Sequence, residues 1–167
     1  MTVIAREIAI NALPEKVWAV LSDYEGVAKW APDVVSAHAT TEESQGVGAT
    51  RLCATSGFGD IEEIVTDWRE GESLSYSVTG NLPLRDVLMA WTLRAEGGQT
   101  VAQLRANYEI KEGGPEAVMD RLNLRRTLAG AFETALLGLK YHVETGELVG
   151  DGLPDGLKGE EPIEVAA

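Results

Sequence analysis

The chain has one cysteine, Cys53, in 167 residues. A lone thiol excludes an internal disulfide and fits a reducing compartment, so a cytoplasmic location is expected. Histidine is also scarce. His38 and His142, with that one cysteine, do not make a zinc-type ligand set, so no metal and no cofactor are expected. Positive charge is sparse: 14 Lys and Arg stand against 27 Asp and Glu, for a net charge of -13 at pH 7. Such a surface repels phosphate backbones and anionic headgroups, so nucleic acid and membrane insertion are excluded as partners. No apolar run approaches the roughly 18 residues of a membrane span. Arg6 and Glu7 interrupt the first apolar stretch, which does not read as a secretory signal. There is no nucleophile motif, phosphate-binding loop or dinucleotide fingerprint.

What is present is a definite order of parts. Ile4, Ile8 and Ile10 share a parity and predict a first strand over Val3–Ile10. Pro14 suits the first turn of a helix, with Glu15 favourable at its positive end and Val17, Trp18 and Leu21 as its apolar stripe. A second short helix is expected over about 25–30, stopped by Pro32. Strand patterns then follow one another. Leu74, Tyr76 and Val78 alternate with serines, Val35, Ala37 and Ala39 repeat the pattern, and so do Leu104, Ala106, Tyr108 and Ile110. Gly-rich turns at 46–48, 57–59, 80–81 and 97–98 make these segments an antiparallel meander. After Gly113-Gly114-Pro115, helical spacing runs from Val118 through Leu122, Leu128, Phe132, Leu136 and Leu139.

These parts predict an α+β fold: a curved antiparallel sheet of six to seven strands wrapped around one long C-terminal helix, with two short helices after the first strand. Residues 1–146 form the domain, and 147–167 read as an acidic, flexible tail. A sheet that receives one helix across its concave face makes a cup, and Gly130, Ala131, Ala135 and Gly138 either leave room inside it or allow close helix packing. Val87, Met89, Trp91 and Leu93 form an apolar row opposite in parity to Leu88, Ala90 and Thr92. That strand is either buried on both faces or part of a subunit contact, so a homodimer is one expectation.

The chain resembles the START/Bet v 1 helix-grip superfamily (SRPBCC), in its bacterial polyketide cyclase/dehydrase-like branch. The matching residues are Ile10, Ala12, Pro14, Val17, Trp18, Leu21 and Asp23, then Trp30 and Pro32. Further on come Glu62-Glu63-Ile64, Leu74, Tyr76 and Val78, Gly80 with Leu82-Pro83, and Gly138, Lys140, Tyr141 and Glu144. The resemblance covers about 3–145. It implies a pocket mouth at Ser56-Gly57-Phe58-Gly59 and at Gly80-Asn81-Leu82-Pro83, where related receptors carry their gating loops, and a pocket carboxylate at Glu62.

Candidate site residues follow. From the strands and mouth, a ligand is expected to meet Val35, Phe58, Glu62, Tyr76 and Val78, then Leu82, Pro83 and Leu88, and finally Leu104, Ala106 and Tyr108. From the helix it meets Leu128, Ala131 and Ala135. Glu62, sharing a parity with Phe58, Ile64 and Thr66, is the expected acid/base, because a carboxylate in an apolar cavity titrates nearer neutrality. The alternative leaves it at the sheet rim, paired with arginine or solvated. Tyr76 is its expected catalytic partner; Tyr76 and Tyr108 read equally well as core tyrosines. Arg6 binds a ligand carboxylate, pairs with Glu62, or lies at the sheet edge. Arg121, Arg125 and Arg126 read as a solvated helix face, His38 as outward, and His142 as capping the helix's negative end. Three functions compete: binding of a small hydrophobic or aromatic ligand, polyketide cyclase/aromatase chemistry on Glu62 and a tyrosine, and a non-catalytic role in which the Val87/Met89/Trp91/Leu93 face holds another chain.

Overall fold

The computed structural model describes residues 1–111, 117–150, 152–155, 157 and 161–166. The stop-and-start at Gly113-Gly114-Pro115 and the side chains of Val118 and Arg121 lie outside the described residues. Strand β1 (Thr2–Ile10) leads into α1 (Pro14–Ser22) and a 3-10 helix over Tyr24–Lys29. Six strands follow: β2 (Val34–Ala39), β3 (Thr50–Thr55), β4 (Gly59–Arg69), β5 (Ser73–Gly80), β6 (Leu84–Glu96) and β7 (Gln99–Ile110). Helix α2 (Ala117–Thr145) and a two-residue β8 (Ile163–Glu164) complete the chain.

The strands form a single sheet in the order β2-β3-β4-β5-β6-β7-β1-β8. Every neighbouring pair is antiparallel, and short hairpin connections join β3 through β7. The sheet has eight strands where six to seven were expected, because the tail adds Ile163 and Glu164 beside Glu7 and Arg6. Helix α2 packs against β1 and β7. Ile4, Ile8 and Ile10 are buried, and Arg6 on the same face reaches Glu133 of α2 and Glu164 of β8, each at 3.5 Å, rather than Glu62.

Pro14 occupies the start of α1, where its missing N–H costs nothing, and Val17, Trp18 and Leu21 are buried. The N–H of the Trp18 indole donates to Glu70 at 2.8 Å, fixing α1 to the β4–β5 turn. Gly138 lets α2 approach the chain after the 3-10 helix: a Cβ there would stand 2.0 Å from the Trp30 carbonyl oxygen. At the end of α2, the Gly146 N–H donates to the His142 carbonyl at 2.8 Å, and His142 Nδ1 lies 2.6 Å from the Glu147 carbonyl. None of the described helices is long and apolar enough to cross a membrane.

Three register shifts decide which side chains face inward. They lie at Val34/Ser36, Val65/Asp67 and Arg85/Leu88. At the last, Asp86 takes φ 52, and the extra residue lets both Leu84 and Val87 turn inward. The row Val87, Met89, Trp91 and Leu93 therefore packs into the molecule instead of offering a face to another chain, and Trp91 is buried. Of the two expectations for this strand, inward burial of Val87 and Trp91 is the one the structure shows.

Candidate functional site: an apolar cavity over a buried ion pair

Between the sheet and α2 lies a cavity of about 170 Å³. A void of about 150 Å³ is enough to take benzene, so this one has room for a compact molecule of one or two rings. Strands β5, β6 and β7 supply Tyr76, Val78, Leu84, Val87, Met89, Trp91 and Leu104 to its wall. The segment after α1 supplies Val27, Trp30, Ala31 and Val34, and α2 supplies Leu128, Ala131, Phe132 and Ala135. The small helical residues thus leave space here, while Gly138 serves the close packing. Phe58 from the β3–β4 turn and Leu82 from the β5–β6 connection reach the same cavity. That turn is tied down by the Ser56 N–H, which donates to the Asp33 carbonyl at 3.0 Å.

The charged residues of the wall are Asp33, Arg51 and Glu63, and the last two form a pair. Both are buried, and Arg51 Nε donates to Glu63 Oε2 at 2.5 Å. A second Arg51 N–H donates to the Tyr24 carbonyl. The guanidinium lies over the Tyr24 ring at 3.8 Å and 5.5 Å from the Tyr76 ring. Burial opposes the Arg51 charge, but Glu63 and the surrounding tyrosines outweigh it and hold its proton more firmly than usual. Burial pushes the phenols of Tyr24 and Tyr76 well above the ordinary tyrosine value, so Tyr76 is a hydrogen-bonding phenol and not a base near neutrality. Burial, helped by Glu63, also pushes the Cys53 thiol up to about 12. The wall is thus mostly apolar, with a few fixed dipoles around the Arg51–Glu63 pair.

Eight of the expected contacts line this cavity: Phe58, Tyr76, Val78, Leu82, Leu104, Leu128, Ala131 and Ala135. Six do not. Glu62 sits on the opposite face of β4 from Ile61, Glu63 and Val65, because Phe58 precedes the strand and its parity does not carry across the turn. The carboxylate at the wall is Glu63. Val35 is 69% exposed, since the shift at Val34/Ser36 turns Val34 inward instead. Leu88 is 38% exposed on the outer face, opposite Val87 and Met89. Pro83 is exposed, accepting the Lys111 N–H at 3.0 Å through its carbonyl. Ala106 and Tyr108 face inward on β7 but are packed in the core away from the cavity.

Arg51 and Glu63 are cavity-wall residues that strand patterns do not single out. Their signal is a shared one: Arg51 shares the face of buried Ala49 and Cys53, and Glu63 that of Val65, so two opposite charges stand inward on adjacent strands.

The profile of a family described as polyketide cyclase / dehydrase and lipid transport matches residues 1–144. No curated protein matches the chain in sequence. Among solved structures it is similar to the Zhui aromatase/cyclase from Streptomyces sp. R1128, at 15% identity and a TM-score of 0.73, covering 86% of this chain and 93% of that one. A protein from Thermus thermophilus superposes with a TM-score of 0.71 at 20% identity, over 87% of this chain and 99% of the other. Ara h 8.0201 does so with a TM-score of 0.64 at 16% identity, over 86% and 98%. At these identities the likeness is one of fold.

Proposed function

The chain belongs to the polyketide cyclase / dehydrase and lipid transport family, and on that footing we propose that it binds a small hydrophobic, aromatic molecule in the cavity between its sheet and α2. The observation that carries this reading is the cavity itself: about 170 Å³, walled mostly by aliphatic and aromatic side chains, with the buried Arg51–Glu63 ion pair in its wall. Burying an apolar molecule there gains roughly 25 cal/mol for each Å² removed from water. The protein acts as a carrier or sensor in a reducing cytoplasm, where its one buried thiol stays reduced.

A cyclase/aromatase reading has one observation in its favour, the Tyr76 phenol beside the Arg51–Glu63 pair in the wall. In that reading the cavity folds a poly-carbonyl chain and these groups polarise it. The catalyst expected from the sequence, Glu62, has no part in it, because it lies outside the cavity.

Native mass spectrometry of the purified protein, followed by denaturation and identification of released compounds, tests the binding reading. Retention of an apolar compound at about one per chain is expected. Retention of none, together with no stabilisation by any aromatic hydrocarbon, contradicts it.

A further inference from the structure

Among the described residues, two buried side-chain polar atoms lack a hydrogen-bond partner: the Tyr24 hydroxyl and the Trp30 indole nitrogen. The two residues are 3% and 4% exposed. An unpaired polar group in such a place costs about 1–3 kcal/mol, so native interiors rarely keep one, let alone two together. Both residues wall the same small chamber of about 10 Å³, which they share with Arg51, Tyr76 and Trp91. That volume is about what a single water-sized group needs. Trp30, Arg51, Tyr76 and Trp91 also wall the main cavity, so the chamber adjoins its charged end.

We propose that this chamber is an oxygen site, taking one hydroxyl or carbonyl oxygen of a ligand whose rings occupy the apolar cavity. The proposal rests on the binding reading above and narrows its ligand class to oxygenated aromatics, meaning phenols and aryl ketones. The chemistry fits on both sides. The Trp30 indole only donates, so its partner is an acceptor. The Tyr24 hydroxyl, with its proton held firmly by burial, both donates and accepts. The Arg51 guanidinium beside them favours the negative end of a C–O dipole. A pure hydrocarbon fills the main cavity and leaves the indole and the phenol unpaired.

The test compares 2-naphthol with naphthalene by equilibrium dialysis at pH 7, on the full chain and on a Tyr24→Phe variant, since Tyr24 walls the chamber but not the main cavity. A hydroxyl buried without partners weakens binding by about fivefold to a hundredfold. The site therefore predicts that 2-naphthol binds the wild type at least as tightly as naphthalene. It also predicts that the variant loses about tenfold for 2-naphthol while keeping its affinity for naphthalene, which shows that the variant is folded. Tenfold weaker 2-naphthol binding to the wild type overturns the proposal. So does an unchanged naphthol-to-naphthalene ratio in the variant; if Tyr24→Phe also destabilises the ligand-free protein, the oxygen in the chamber is that of a water. Failure of naphthalene to bind the wild type contradicts the cavity reading itself, a different outcome from loss of the oxygen preference.

Discussion

Arg51 and Glu63 set the character of the site at the scale of single residues. Each is buried, and each compensates the other at 2.5 Å. Removing one partner leaves a charge without water or counter-charge, which costs about 3–5 kcal/mol, whereas replacing both with apolar residues costs far less. Urea denaturation of Arg51→Met, Glu63→Leu and the double variant should show two strongly destabilised singles and a double more stable than either. Singles that sum to the double would mean that the two charges do not depend on each other.

The same burial has a pH signature. The Cys53 thiol is pushed from 9.0 to about 12, and the Tyr24 and Tyr76 phenols are pushed above their ordinary 10.0. All three are neutral when protonated, so the folded state holds protons that the unfolded chain releases from about pH 9 upward. Their contribution is fully present below pH 9 and is lost as pH rises toward 12 and beyond. Stability measured by denaturation should therefore fall steadily above pH 9. In the folded protein Cys53 should not react with a thiol reagent at pH 8, and it should react on unfolding.

At the scale of elements, the close crossing of α2 over the Trp30–Pro32 segment holds one wall of the cavity. Gly138→Ala places a methyl group 2.0 Å from the Trp30 carbonyl oxygen. A loss of about 1–3 kcal/mol is expected in thermal or chemical denaturation, despite the better helix propensity of alanine. A stabilised variant would show that the crossing is looser than this.

Elements were also where the sequence was most and least legible. Alternation in β1, β5 and β7 and the apolar stripe of α1 were plain, because Ile4, Leu74, Leu104 and Trp18 fall on their faces without interruption. The same holds for the helical wall residues Leu128, Ala131 and Ala135. Three of the six misplacements fall at irregularities. Val35 lies at one register shift, Leu88 beside another, and Glu62 shares the parity of Phe58 only when the count runs through a turn. A period of two carries no face across a bulge or a turn, so one residue of slip exchanges inside for outside. Arg51 is illegible for a different reason: an arginine reads as surface unless the Glu63 carboxylate beside it on the next strand is paired with it.

At the scale of the molecule, the chain beyond α2 adds to the sheet. Val149 is buried with its N–H donating to the Lys29 carbonyl at 3.0 Å, and Glu164 Oε1 lies 3.5 Å from Arg6 and 3.6 Å from Arg125. Exposed ion pairs of this kind contribute up to about 1 kcal/mol each, and a two-residue strand adds little more. Truncation after Gly150 should therefore leave a folded domain with a slightly lower melting temperature. Its circular dichroism spectrum checks this, and complete unfolding would show that the tail belongs to the domain.

The central claim is that a ligand sits between the sheet and α2, and the most direct test fills that space from within. Ala135 faces the cavity from the middle of α2, so Ala135→Trp should occupy the room a ring system needs. Titration with 1-aminonaphthalene, followed by its fluorescence, is predicted to show saturable binding of one molecule per chain in the wild type. Binding should be at least tenfold weaker in Ala135→Trp, with the fold intact by circular dichroism. Equal binding by the two proteins would place the dye elsewhere and contradict the account.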